Sequence, residues 1–385
     1  MSRPLFPSPD IRQHAATEAL LLSLPDLPAG DDVFVADDDD GGVEAGLVER
    51  GHAVRSWNRV TVGPRIGKPW PAEGVCQQAT LRFQRDRDAF EVALHATAAR
   101  LAPGGRLFVY GANDEGVKSA DTRIGALFSD LETLSTMRHC RVWMAVRPAE
   151  IPGLKPTLAD WKTREPVEMP WGPVPWTRYP GLFAKGGLDA GTALLLHALP
   201  KVADGAQVLD FACGTGVISA AVLKGTPSAR VQMIDSDALA IAAARENAVG
   251  AMALTGDGPG ALPAWQRYHH IFSNPPLHRG KDRTRSVLEA LVRAAPPRLL
   301  EGGDLWLVVQ RHEPVEPLLR QCFLTVDCPS QDGHYAVWRA ADPFSWAVKG
   351  EDTAPVHREK RRPRIKGATE AVPEVAPLDR RRRRG

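Results

Sequence analysis

The run Leu101-Ala102-Pro103-Gly104-Gly105-Arg106-Leu107-Phe108-Val109-Tyr110 has an echo in the second half of the chain. There it reads Leu299-Leu300-Glu301-Gly302-Gly303-Asp304-Leu305-Trp306-Leu307-Val308. Each stretch reads as a helix end, a Gly-Gly turn and an apolar strand. Each half also opens with a short apolar strand, Val33-Phe34-Val35 and Val208-Leu209-Asp210. A repeat on this scale means one supersecondary unit used twice, and the unit is a doubly wound α/β sheet. A length of 385 residues suits two such domains.

The second half alternates regularly. The pattern predicts helices at 189–199, 216–224, 237–248 and 284–299, and strands at 207–211, 230–235, 269–273, 305–310 and 334–339. Such alternation gives a mostly parallel sheet with helices on both faces, and the last strand fits an antiparallel edge or closing hairpin. The expected layout is a degenerate N-terminal copy over 1–147, a connector over 148–180, the catalytic copy over 181–345 and a basic tail over 346–385. The connector is dense in proline and holds Trp161, Trp171 and Trp176, which points to a packed connector rather than a floppy one. In the first copy the strand is followed by Asp37-Asp38-Asp39-Asp40-Gly41-Gly42, read as a solvated acidic loop rather than a metal site.

Charge is unevenly placed. The whole chain is +2, but residues 350–385 carry eleven Lys/Arg against six Asp/Glu, a local +5. With its prolines and few large apolar residues, that tail is expected to be disordered, and to serve either RNA phosphates or solubility. The five cysteines have no zinc or CxxC spacing, no apolar run spans a bilayer, and the N-terminus shows no signal-peptide core. A cytoplasmic protein without a structural metal is the expectation.

Two motifs carry the chemistry. The first is Val208-Leu209-Asp210-Phe211-Ala212-Cys213-Gly214-Thr215-Gly216, a strand ending in a glycine loop before a helix. Glycine lets the backbone turn tightly and approach a ligand. A dinucleotide fingerprint needs a third glycine where this chain has Ser219, which argues against NAD. Asp210 is placed to attract a ligand's ammonium group. Asp235, nineteen residues after Gly216, has the reach for ribose hydroxyls. Asp257, after the third strand, can accept from an adenine amine, while Asp237 caps the next helix.

The second motif is Asn274-Pro275-Pro276-Leu277-His278, ending the fourth strand, where ligands bind in this architecture. An exocyclic base amine is a poor nucleophile because its lone pair is delocalised. Acceptors at the Asn274 side chain and the Pro275 carbonyl take its two N–H groups and aim the lone pair at a sulfonium methyl. The two prolines stiffen the loop. No strong base is needed, because the proton leaves once nitrogen is positive. Together the motifs point to methyl transfer from S-adenosyl-L-methionine to nitrogen.

These residues resemble class I S-adenosylmethionine-dependent methyltransferases, and more narrowly the bacterial ribosomal RNA small subunit methyltransferase C family, which modifies guanine N2. The resemblance spans roughly residues 30–340. It includes Val109 to Ser119 in the first half, Tyr179-Pro180-Gly181-Leu182-Phe183-Ala184-Lys185-Gly186-Gly187-Leu188-Asp189-Ala190-Gly191-Thr192, and Asn274 to Gly280. It implies two tandem Rossmann-like methyltransferase domains, the first degenerate. It further implies cofactor binding by Asp210, Ala212, Gly214, Gly216, Asp235 and Asp257, with Asp189 and Thr192 near the methionine end. Asn274, Pro275 and Pro276 would hold the target guanine, with Leu277 and His278 beside it. The implied partner is ribosomal RNA or the small ribosomal subunit; the internal duplication, in which the second copy can play the role of a partner, points to a monomer.

Leu277 stands where the family usually has phenylalanine to stack on an extruded base. Ala212 stands where glycine is commoner, and His270 where aspartate is usual. Two other readings stay open on the residues alone: a protein-glutamine methyltransferase, whose substrate amide fits the same acceptors, and a non-catalytic RNA-binding or ribosome-assembly protein.

Overall fold

The computed structural model describes residues 11–25, 27–28, 32–275 and 281–348, the side chains of 11 and 281–286 excepted. Of the tail expected over 346–385, residues 346–348 belong instead to a short helix (Ser345–Val348) in which Ala347 is buried, and the rest, from residue 349, lies outside the described residues, as do Pro276, Leu277 and His278.

The first half runs α1 (Ile11–Ser23), β1 (Asp32–Ala36), α2 (Gly42–Glu49), β2 (Ala53–Trp57), β3 (Cys76–Arg82), α3 (Arg87–Ala98), β4 (Leu101–Ala112), α4 (Asp121–Leu127), β5 (Ser129–Ser135) and β6 (Cys140–Val146). Next comes a hairpin, β7 (Thr163–Met169) and β8 (Gly172–Arg178). The second half opens with α5 (Ala190–Ala198), β9 (Gln207–Phe211), α6 (Val217–Gly225), β10 (Arg230–Asp235), α7 (Ala238–Asn247) and β11 (Met252–Thr255). It closes with β12 (Tyr268–Ser273), α8 (Lys281–Ala294), β13 (Leu299–Gln310), α9 (Glu316–Cys322), β14 (Phe323–Gln331), β15 (Tyr335–Pro343) and α10 (Ser345–Val348).

The first sheet has the order β2-β1-β3-β4-β6-β5 and the second β11-β10-β9-β12-β13-β15-β14. Apart from the extra edge strand β11, the two orders are the same. In both, the pairs around the central strands are parallel and the last two strands antiparallel. β15 therefore lies inside its sheet, between β13 and β14; it is not the edge but forms the expected closing hairpin with β14, which is the edge.

The echoing Gly-Gly runs also turn out alike, but not as helix ends. Leu101 pairs with Cys76 and Arg106 with Gln78, so four residues loop out within β4. Leu299 pairs with Tyr268 and Asp304 with His270, so four residues loop out of β13 at the same place. Gly104 (φ 78°) and Gly302 (φ 74°) turn these loops in the left-handed region. Central strands such as β13 carry a continuous apolar run because both of their faces are covered by helices.

The proline-rich connector holds the hairpin β7–β8, which sequence reasoning missed. Pro166 faces Pro175 across it, a placement a two-stranded ribbon tolerates because its outer edges need no donor. Trp161 and Trp176 are buried, which matches packing rather than base stacking, and Trp171 is half-buried.

The acidic loop is solvated only in its second half, where Asp39 is half-buried and Asp40 exposed. Asp37 and Asp38 are buried. Asp37 accepts the Arg59 amide at 3.0 Å and the Gln84 side chain, and Asp38 accepts the Glu44 amide at 2.9 Å at the start of α2. Backbone donors hold these carboxylates in place of water, and burial pushes them up to about 7 for Asp37 and about 6 for Asp38.

Candidate functional site

β9 and β12 lie side by side at the centre of the second sheet, with Phe211 opposite Ser273. Their carboxyl ends bring Ala212 and Asn274 to one rim, where open α/β sheets bind ligands. The Ser273 hydroxyl donates to the Phe211 carbonyl at 2.8 Å and ties the two strand ends together.

The glycine loop is held from three sides. Asp210 is fully buried in β9, and its Oδ2 accepts the Ser219 amide (3.0 Å) and hydroxyl (2.7 Å) from the first turn of α6. Its Oδ1 is buried with no partner among the described residues. Burial pushes Asp210 up to about 7, opposed by the Ser219 bonds and helped by the nearby Asp235 charge. Asp235, at the end of β10, accepts the Gly214 amide and the Asp237 amide, each at 2.9 Å. From the hairpin, Trp176 donates its indole N–H to Thr215 Oγ1 at 3.1 Å, and Asn247 donates to the Thr215 carbonyl at 3.1 Å. Asn247 also ties down Thr177 through both its amide oxygen and nitrogen.

The two glycines do different jobs. Gly216 has φ 87°, and a Cβ there would sit 3.2 Å from the Ala244 Cβ and 3.3 Å from the Met233 sulfur, so glycine lets α6 pack against α7 and β10. Gly214 has φ 54° and meets nothing within 4 Å, so its bare face borders open space. Ala212 takes φ 57°, the left-handed region that glycine would enter freely.

Asn274 is tied at the rim to α5 through Asp189 and Thr192. Its Nδ2 donates to Thr192 Oγ1 at 2.9 Å and lies 3.2 Å from both oxygens of Asp189. Asp189 caps α5, with Oδ1 accepting the Gly191 and Thr192 amides, while Oδ2 accepts the Thr192 hydroxyl at 2.5 Å. Thr192 thus spends its proton on the carboxylate and offers Asn274 only a lone pair. Both neighbours are acceptors, so the Asn274 amide nitrogen must face them and its oxygen must face the rim. Sequence reasoning put Asp189 and Thr192 near a cofactor's methionine end; their contacts in the structure are with Asn274. Asp257 stands apart on the exposed loop after β11, and its Oδ2 accepts the Gly63 amide of the first half at 2.6 Å.

Sequence reasoning missed Trp176 as a prop of the glycine loop, Asn247, and Arg59, whose guanidinium reaches Asp237. Nothing local marks Arg59, because its partner is 178 positions away. His270 pairs with Asp304 at 2.7 Å, and Asp304 also accepts from Arg339 at 3.0 Å, so this histidine belongs to a network on the neighbouring strands rather than to the rim. Among the described residues no cluster of metal-ligating side chains occurs, and no helix is long and apolar enough to cross a membrane.

The pattern is that of known proteins. The methyltransferase small domain matches residues 174–339, and the methyltransferase small domain N-terminal matches 53–164. A curated relative, the ribosomal RNA small subunit methyltransferase C of Shewanella halifaxensis, is 34% identical over 71% of this chain and 80% of its own length. The protein of the same name from Pseudomonas syringae pv. syringae is 33% identical over 69% and 80%. Among solved structures, the 16S rRNA N2 G1207 methyltransferase of T. thermophilus, determined with AdoMet and guanosine, shares the fold with a TM-score of 0.74 at 23% identity. That likeness covers 85% of this chain and 91% of the other. The chain belongs to the ribosomal RNA small subunit methyltransferase C family.

Proposed function

We propose that the protein transfers a methyl group from S-adenosyl-L-methionine to the exocyclic N2 of a guanine in small-subunit ribosomal RNA. The observation that carries the reading is the fixed amide of Asn274, which turns an acceptor oxygen towards the rim. The relatives' names state that they methylate ribosomal RNA of the small subunit, and family membership brings that activity to this chain. The residues fit the cofactor. Asp210 Oδ1 is a buried acceptor in want of a donor, as an ammonium group supplies, and Gly214 leaves an open face over which a ligand can lie. Asp235 stands at the end of β10 beside the glycine loop, with the Gly214 amide on one oxygen and the Asp237 amide on the other, a place from which a carboxylate reaches ribose hydroxyls.

When bound, the cofactor supplies an electrophilic methyl on a sulfonium sulfur. Asn274 and the Pro275 carbonyl each accept one N–H of the guanine amine, which fixes the direction of its lone pair. They also stabilise the positive charge that grows on nitrogen in the transition state. Asp189 and Thr192 hold Asn274 in the required sense. The base must leave its stack to reach this rim, as single-stranded RNA allows. Catalysis is proposed for residues 181–345, with the first half and the hairpin as support. Action as a cytoplasmic monomer follows the same proposal, since the first half already covers one flank of the site.

The test is transfer of labelled methyl from S-adenosylmethionine to ribosomal subunits and naked rRNA from a strain lacking the protein, followed by nucleoside mass analysis. N2-methylguanosine in small-subunit RNA is the expected product, and it should vanish with Asn274→Ala while cofactor affinity stays near wild type. Label in protein glutamine instead of RNA would overturn the substrate assignment.

A further inference from the structure

The connection from β2 to β3 in the first half, residues 58–75, contains no helix and lies against the second half. Arg59 is 4% exposed, and its guanidinium crosses over completely. Its Nε donates to both oxygens of Asp237 (3.0 and 3.2 Å), and its Nη2 donates to Asp237 Oδ2 (2.6 Å) and to the Gly181 carbonyl (2.8 Å). The backbones join as well. The Thr61 amide donates to the Ser236 carbonyl at 2.7 Å, the Ala238 amide donates to the Arg59 carbonyl at 3.1 Å, and Val60 bridges Asp237. Two residues further on, the Gly63 amide reaches Asp257.

Apart from the Gly181 carbonyl, these contacts fall on two places: the turn that begins at Asp235, and Asp257. They are the two carboxylates assigned above to the cofactor's ribose and adenine. Asp235 holds the Asp237 amide with one oxygen and the Gly214 amide with the other, so a shift of Asp237 is passed to Asp235 and to the glycine loop. A buried ion pair contributes little net stability, since desolvation offsets its attraction. What the planar guanidinium fork does give is a fixed position.

We infer that the β2–β3 connection of the first half is a built-in wall of the second half's cofactor site, with Arg59 as a positioning residue that sets affinity for the adenosine end of the cofactor. This rests on the S-adenosylmethionine reading above. It assigns the first half a part in cofactor binding, beyond support of the fold.

The experiment uses the full chain and S-adenosylhomocysteine as probe, with Kd from calorimetry. Arg59→Met removes the charge and keeps the stem; Arg59→Lys keeps the charge and loses the fork. Arg59→Met should raise Kd about tenfold or more, the size of a typical coupling between sites, with Arg59→Lys in between. In turnover, KM for the cofactor should rise by more than kcat falls. In the wild-type protein, amide exchange at Thr61 and Gly63 should slow when the probe binds, a response that a merely structural prop would not show. Unchanged Kd in the folded variants overturns the inference. If Arg59→Met fails to fold, Arg59→Lys and the exchange data decide, and no change in either overturns it. A wild-type protein that does not bind the probe defeats the cofactor reading and this inference with it, whereas binding that ignores Arg59 defeats this inference alone.

Discussion

Asp189→Asn isolates the orientation of Asn274 from every other role of Asp189. Asparagine caps helices as well as aspartate does, so α5 should keep its start and the protein its stability. The cap requires the side-chain oxygen at the position now held by Oδ1, which accepts the Gly191 and Thr192 amides. That leaves the new amide nitrogen where Oδ2 now sits, facing Thr192 and Asn274. Asn274 must then turn its oxygen inward to meet that donor. Its own nitrogen swings to the rim, where it confronts an N–H of the substrate amine. One transition-state acceptor is lost, an effect worth roughly 10²–10³ in kcat, or about 2.7–4 kcal/mol.

The assay is single-turnover methyl transfer at saturating cofactor, with cofactor Kd and thermal stability measured alongside. The expected result is a large fall in kcat with Kd and Tm near wild type. Asp189→Ala serves as a control, since it loses the cap as well and should cost about 1 kcal/mol of stability. Wild-type kcat in a folded Asp189→Asn protein would refute the orientation argument. A loss that falls on cofactor affinity instead would return Asp189 to the cofactor's methionine end.

Three further outcomes follow from the geometry. Asp210 is held up at about 7 by burial, so below that pH it is protonated in the free protein, and cofactor affinity should rise with pH from about 5 to 7 and then level off; Asp210→Asn should flatten the profile measured by calorimetry. The folded pKa of Asp210, like those of Asp37 and Asp38, lies above its unfolded value, so these groups favour the fold at low pH and that contribution should fade as pH rises from about 4 to 7, read as falling urea midpoints that Asp37→Asn makes less steep. Gly216→Ala should destabilise by roughly 1–3 kcal/mol through crowding against Ala244 and Met233, whereas Gly214→Ala, facing open space, should cost about 1 kcal/mol of left-handed strain and act mainly on cofactor Kd.

Much of the second half could be read in advance, because strand and helix periods are local. The strand predicted at 207–211 is β9, and that at 230–235 is β10. The Asn-Pro-Pro motif was legible as following the end of a strand for the same reason, and its first two residues come directly after β12, which ends at Ser273. What escaped the sequence was non-local. Asn274 and Asp189 are 85 positions apart, and only the fold shows that one fixes the other's amide. The acidic loop misled because four carboxylates in a row look solvated, yet Asp38 lies at the start of α2, whose free amides can replace water. The hairpin β7–β8 was hidden by its prolines, which forbid a helix but not a ribbon with free edges.

The duplication explains why one rim is built and the other is filled. Ala36 ends β1 as Phe211 ends β9, and each is followed by a left-handed residue, Asp37 (φ 56°) or Ala212 (φ 57°). Ala36 pairs with Leu81 and Phe211 with Ser273, so Arg82 occupies in the first copy the position of Asn274 in the second. Arg82 is buried, and its guanidinium donates to Glu115 at 2.6 Å and to Gln13. A long cation with its own carboxylate thus fills the place where a short amide leaves room for a substrate. By the same register Trp57 answers to Ile234 and Asn58 to Asp235, so the first copy also lacks the carboxylate proposed for the ribose. Beyond that point the second copy builds α7 and β11, while the first has only the loop 58–75. That loop meets its own counterpart. The Thr61 amide bonds to the Ser236 carbonyl, and the Ala238 amide bonds to the Arg59 carbonyl. Thr61 corresponds to Ala238 and Arg59 to Ser236, so the two bonds are mates under an approximate two-fold, the pattern of an isologous contact between identical subunits. Without that helix and strand the first copy has no counterpart of the proposed cofactor wall, and its loop instead meets and braces the second copy.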